Sequence, residues 1–285
     1  MKTVVVTGAT SGIGFAVCAT LLQDNCRVIA LGRSAETCRA SQEALCALVP
    51  GARVTFYAGD LLHLSDIRAL AQKIRADLQE NSAGRLDALI NNAGCVRRFF
   101  MTTPEGYEHQ FALNHLSGYL LTHELLANLL EAQGRVIISS SASHRLMRMR
   151  WKDLMFEKRY SPLMAYKQSK LCNMLFARGL MERYADKGLH AYGVDPGLVK
   201  TDIGNKNTGG LVGLVWTQRK KRGVDPSVPA SIYKRLMTAE PAPEGLCHGL
   251  NGLARISREV TRQNAEQLFV VSDRLLGIRF GVTAS

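Results

Sequence analysis

A chain of 285 residues can bury one large core, and 46% hydrophobic against 21% charged residues is the balance of a globular protein, not of a disordered or fibrous one. The net charge of +12 is unevenly placed: residues 1–94 hold nine Lys+Arg against eight Asp+Glu, and the remainder holds 27 against 16. That basicity fits a solvated surface, an anionic substrate or an anionic lipid; with no zinc pattern, aromatic-basic motif or recognition-helix signature, no nucleic acid partner is expected.

Met1-Lys2-Thr3 runs directly into the strand-like Val4-Val5-Val6, which leaves no room for a leader or anchor, and the expectation is a cytoplasmic protein. Strand-like segments follow at 2–7, 27–32, 53–58, 87–91, 135–140 and 189–195, as short Val/Ile/Leu runs suited to burial on both faces. Helical segments lie between them near 12–23, 36–48, 64–80, 104–131 and 162–187, and two more follow at 226–239 and 262–277. This alternation predicts one α/β domain over 1–285, a Rossmann-type doubly wound parallel sheet with helices on both faces. Residues 200–225, rich in Gly, Asn and Thr and then basic, read as a substrate lid, and 240–285 as a C-terminal extension. Peripheral membrane contact through the apolar and basic part of the lid is not favoured over a simple cover for an apolar substrate. The seven cysteines, an odd number without a Cys-x-x-Cys pair, point to reduced thiols, with neither a disulfide framework nor a bound metal.

The first strand ends in Thr7-Gly8-Ala9-Thr10-Ser11-Gly12-Ile13-Gly14, and a helix opens at once. Glycines let the backbone approach a pyrophosphate, and the helix N-terminus supplies N–H groups and a favourable dipole. The second strand ends in Leu31-Gly32-Arg33-Ser34. An acidic residue there would bind ribose hydroxyls; a cation instead favours a 2′-phosphate, so NADP(H) is preferred over NAD(H) unless Arg33 is merely solvated. Tyr166 and Lys170, four apart in a helix, share a face. Carbonyl reduction needs a proton donor, and a neighbouring ammonium favours the phenolate of a tyrosine that would otherwise titrate near pH 10. Ser139-Ser140-Ser141 ends the fifth strand, where a hydroxyl could polarise a substrate carbonyl.

In family order, these segments resemble a short-chain dehydrogenase/reductase over nearly the whole chain. Thr7 to Gly14 is similar to its cofactor turn, Asp60-Leu61 to the pair beside adenine, and Asn91-Asn92-Ala93-Gly94 to the segment flanking the cofactor. Asp195-Pro196-Gly197-Leu198-Val199-Lys200-Thr201 is similar to the loop at the nicotinamide. Asn114, Ser141, Tyr166 and Lys170 match the catalytic tetrad; Ser141 is preferred to Ser140 because it lies 25 residues before the tyrosine. The resemblance implies that Tyr166 is the acid/base, that Lys170 holds the nicotinamide ribose, that Ser141 orients the substrate oxygen and that Asn114 anchors a relay water. It also implies oxidation or reduction of a hydrophobic alcohol or carbonyl compound, with a sensor or scaffold that keeps the fold as the alternative. Asn114 to Thr122, Tyr166 to Asn173 and His144 resemble the branch of retinol dehydrogenase-like and protochlorophyllide reductase-like enzymes, from which Ile138 and Asp195 depart. Members often pair through the helices near 104–131 and 162–187, so a homodimer is expected from resemblance alone. Substrate contacts are expected from Cys95 to Met101 and Ala142 to Trp151, including Met147 and Met149, and the arginines of both loops could serve an anionic tail or be surface residues on the rim.

Overall fold

The computed structural model describes residues 1–200 and 223–282. Six strands fall within a residue or two of the expected segments: β1 (Thr3–Thr7), β2 (Arg27–Gly32), β3 (Val54–Ala58), β4 (Ala88–Asn91), β5 (Arg135–Ser139) and β6 (His190–Val194). Two more, β7 (Cys247–Gly249) and β8 (Gly252–Leu253), were not expected, being too short to show a period-two pattern. The extension at 240–285 therefore completes the sheet. The order is β3-β2-β1-β4-β5-β6-β7-β8, with every pair parallel except β7 with β8. The chain reverses direction across the sheet between β1 and β4, which opens a crevice at their carboxyl ends.

Strand alternation sorts the interior into two cores. Val5, Ile29, Leu31, Leu89, Val136 and Ile138 face one side. Val4, Val6, Val28, Ala30, Ala88, Ile90 and Ile137 face the other. On the second side lie α1 (Gly12–Gln23), α2 (Ala35–Leu48) and α8 (Ser227–Thr238). The first is covered by α3 (Leu64–Ser82), α4 (His109–Phe111), α5 (Ser117–Glu124), α6 (Leu126–Glu131), α7 (Pro162–Tyr184) and α9 (Arg262–Leu276).

The single helix expected over 104–131 is corrected to three short ones. A π-helical turn at Ala112–Leu116 separates α4 from α5, and a break at Leu125 separates α5 from α6. Such turns add a residue to the helical ladder and re-aim a side chain; here it is that of Asn114. Arg135, buried at the start of β5, donates to Leu236 O (2.8 Å) and Ala239 O (2.7 Å), satisfying carbonyls at the end of α8.

Helix α9 packs along α7, one of the two helices through which the family resemblance implied pairing. Phe269 is fully buried, with ring centroids 5.1 Å from Tyr119, 5.6 Å from Phe176 and 5.1 Å from Phe280. Gly179 leaves its place open: a Cβ there would stand 2.3 Å from the Phe269 ring. Tyr119 donates to Asp273 (2.7 Å), and Arg183 pairs with both oxygens of Glu266 (2.8 and 2.9 Å). Phe269→Ala is expected to cost about 3–5 kcal/mol in urea unfolding; a loss below about 1 kcal/mol would show that α9 contributes little to the core.

Candidate active site

The turn between β1 and α1 has the form a pyrophosphate requires. Gly8 and Gly12 adopt φ of +65° and +55°, the left-handed region that other residues enter at a cost. A Cβ on Gly14 would lie 2.2 Å from Gly8 O and 2.6 Å from Asn92 Nδ2, so only glycine lets α1 sit this close to the strand ends. Ser11 begins α1 without a side-chain cap, which leaves the first N–H groups of the helix available to an acceptor in the turn. Ile13 packs against the second core, and the Thr10 side chain lies under Gly32. Those features fit a dinucleotide.

At the end of β2, Arg33 is exposed and makes no ion pair among the described residues, whereas Ser34 uses its hydroxyl to cap α2, accepting from Thr37 N (3.3 Å). Asp60 accepts from Leu62 N (3.0 Å) to shape the turn after β3, and Leu61 is buried beneath it. Asn91 and Asn92 point to opposite faces. Asn91 donates to Thr122 (3.0 Å) on α5. Asn92 Nδ2 donates to Thr7 O (3.1 Å) and Gly8 O (3.4 Å), while Thr7 Oγ1 accepts from Asn92 N and Ala93 N, both at 2.9 Å. The β1 and β4 ends are thus locked together under the glycine turn.

Asn114, Tyr166 and Lys170 converge beside this lock. The Asn114 amide pairs with one backbone unit, accepting from Cys95 N (2.7 Å) and donating to Cys95 O (3.0 Å), and also donates to Ser169 Oγ (2.9 Å). Ser169 in turn donates to Tyr166 O (2.8 Å). A Cβ on Gly94 would lie 3.1 Å from Asn114 Oδ1 and 3.6 Å from Lys170 Nζ. The Lys170 ammonium sits 5.6 Å from the Tyr166 ring centroid and donates to Ser139 O (3.0 Å), which also accepts from Asn173 Nδ2 (2.9 Å). Burial lowers the Lys170 pKa to about 8, because desolvation penalises the charged form.

The serine triplet divides its work by strand alternation. Ser139 turns its hydroxyl toward α8, bonding Tyr233 OH (2.7 Å). Ser140, buried on the opposite face, donates to Lys170 O (3.0 Å). Ser141 is half-buried at the head of a short turn and accepts from Ser143 N (3.3 Å). The backbone role of Ser139 and the approach of Tyr233 were not legible in the sequence, since a carbonyl has no residue code and Tyr233 reads as one more core position.

In the loop after β6, Asp195 accepts from Gly197 N (3.2 Å) and from Arg145 (3.1 Å). Gly197, after Pro196, has φ +72°, and Val199 pairs with Val224. Thr201, the lid residues up to 222 and their basic run lie outside the described residues. The expected substrate wall is partly corrected. Val96, Met147 and Met149 are buried, the two methionines within the first core, whereas Phe99, Phe100 and Leu146 are exposed. Arg145 is committed to Asp195 and Arg255 O (2.9 Å), and Arg150 lies over Phe156.

A family model described as short chain dehydrogenase matches residues 2–210. The chain belongs to that family. Retinol dehydrogenase 12 of Mus musculus is 32% identical over 98% of this chain and 87% of its own length. Retinol dehydrogenase 11 of Homo sapiens is 36% identical over 97% of this chain and 86% of its own. These place it in the retinol dehydrogenase-like branch of the oxidoreductases. A crystal structure from Mycobacterium Paratuberculosis superposes with a TM-score of 0.73 at 27% identity, covering 99% of this chain and 96% of that one. A metagenomic short-chain oxidoreductase in complex with NADP shares the fold at a TM-score of 0.64 and 23% identity, over 87% and 96% of the two chains. Among the described residues of this short-chain dehydrogenase, no helix is long and apolar enough to cross a membrane.

Because the folded Lys170 pKa lies below that of a free lysine, the unfolded chain binds the proton more readily. The burial penalty is therefore full below about pH 8 and is relieved as pH rises toward the ordinary lysine value. Wild-type unfolding free energy minus that of Lys170→Met is expected to increase from pH 8 to 10 in urea titrations of the ligand-free protein. A flat difference would mean that the Lys170 ammonium is as well solvated as a surface lysine.

Proposed function

We propose that the protein interconverts a hydroxyl and a carbonyl on a hydrophobic small molecule, with NADP(H) as hydride carrier and Tyr166 as general acid/base. The observation that carries this reading is the buried ammonium of Lys170, set against the Tyr166 ring and beside Gly94 of the loop after β4. When bound, NADP(H) supplies or accepts the hydride. Tyr166 then gives its proton to the substrate oxygen in reduction and takes it back in oxidation, and the Lys170 charge favours the phenolate form that this exchange requires. With Ser140 committed to the α7 backbone, Ser141 is the hydroxyl left to orient the substrate oxygen. Asn114 braces the loop after β4; both its amide hydrogens are engaged, so a relay water would be held by the remaining lone pair of its side-chain oxygen.

The preference for NADP(H) over NAD(H) rests on Arg33, an exposed cation with no ion-pair partner among the described residues, at the end of β2 where ribose is read. Phe99, Phe100 and Leu146, exposed on the loops after β4 and β5, suit an apolar substrate, as do relatives named as retinol dehydrogenases.

With a panel of apolar aldehydes and ketones, NADPH consumption is expected to fall about 10²–10⁴-fold in Tyr166→Phe while NADPH still binds. Tight NADPH binding with no turnover of any panel member would favour a sensor or scaffold. Arg33→Ala should weaken NADPH binding about ten- to a hundredfold and leave NADH binding unchanged. An equal loss for both cofactors would remove the basis for the preference.

A further inference from the structure

We propose that Tyr233, on the far side of the sheet from the catalytic helix, is a positioning residue for the dinucleotide, acting through Ser139 and Asn92 on the glycine turn. The proposal rests on the reading that the chain binds NADP(H).

Tyr233 lies on α8 and is fully buried in the second core. Its hydroxyl is 2.7 Å from Ser139 Oγ, and Ser139 Oγ donates to Asn92 Oδ1 at 3.3 Å. A serine hydroxyl has one hydrogen. With that hydrogen directed at Asn92, Tyr233 is the donor to Ser139, and the chain has a single polarity: Tyr233 to Ser139, Ser139 to Asn92, and Asn92 Nδ2 to Thr7 O and Gly8 O. It ends on the carbonyl of Gly8, the left-handed residue that opens the cofactor turn and against which α1 is packed through Gly14. Every group on the route is buried or half-buried, so no link can be exchanged for bulk water without cost.

Ser139 also serves the other face of the sheet. Its carbonyl accepts from Lys170 and Asn173 while its hydroxyl faces Tyr233. One residue thereby fixes the catalytic ammonium and the floor of the cofactor turn, and α8 grips it from behind. Helix α8 begins three residues after Val224, which pairs with Val199 in the loop after β6. Helix α8, which follows the segment paired with the loop after β6, is thus hydrogen-bonded, through three side chains, to the turn between β1 and α1.

Core packing alone predicts something different. Tyr192 offers the comparison: it is buried in the same core, and its hydroxyl has no hydrogen-bond partner among the described residues. NADPH dissociation constants are measured by titration of protein fluorescence on the full chain and on Tyr233→Phe, Ser139→Ala, the double variant and Tyr192→Phe, with Tm recorded for each. Tyr233→Phe and Ser139→Ala are each expected to weaken NADPH about fivefold, the double variant no more than either alone, and Tyr192→Phe not at all. A Tyr233→Phe protein that binds NADPH as wild type does, with only Tm lowered, would reduce Tyr233 to packing. Multiplied losses in the double variant would overturn the route through Ser139. A wild-type chain that binds neither NADPH nor NADH would overturn the proposed function itself, and this inference with it.

Discussion

Lys170 is a buried ammonium held by a peptide carbonyl, and much of the site is organised around that fact. No carboxylate forms an ion pair with it among the described residues, and its hydrogen bond goes to Ser139 O. Placing a charge there costs several kcal/mol unless dipoles are fixed around it. The fold supplies them by ending β5 at Ser139, so that the last carbonyl of the strand points at α7. The same carbonyl takes Asn173 from one turn further along that helix. An unneutralised cation beside Tyr166 can act on a developing phenolate, whereas a paired one would be largely cancelled.

From this constraint the neighbouring geometry follows. The π-helical turn between α4 and α5 brings Asn114 onto the Cys95 backbone, which holds Gly94 of the loop after β4 close to Lys170. Ser169 then ties that assembly to the Tyr166 backbone. Across the crevice, Arg145 and Asp195 join the turn after β5 to the loop after β6, and Arg255 O holds the arginine from the C-terminal side. That pair gives Asp195, a position at which the sequence departs from the family resemblance, a cationic partner within the chain.

What could be read from the sequence was whatever is carried by side-chain type at fixed spacing. Buried parallel strands appear as Val/Ile runs, the glycine turn follows its strand, and Tyr166 and Lys170 share a helical face. What could not be read depends on backbone or on distant pairing. The carbonyl of Ser139 has no letter of its own. β7 and β8 are three and two residues long, below the length at which alternation can be recognised. The break in the helix at 112–116 has no glycine or proline to mark it, and it accompanies a tertiary contact, of Asn114 with Cys95, that no local pattern shows. The partners of Arg145 and Arg150, Asp195 and Phe156, could not be read from the loop itself, because they lie elsewhere in the chain or belong to the core.

Helix α9 has a consequence for the order in which the molecule can be assembled. It seats Phe269 against Gly179 of α7, so the helix bearing Tyr166 and Lys170 is finished by residues made about ninety positions later. Until the ribosome has released that last segment, Phe176 and Tyr119 lack the ring that completes their packing, and the catalytic helix has an apolar flank open to water. A premature stop between Thr201 and Phe269 would leave the glycine turn, the tetrad and the loop after β6 in the translated product and still deprive the nascent chain of the wedge that seals it.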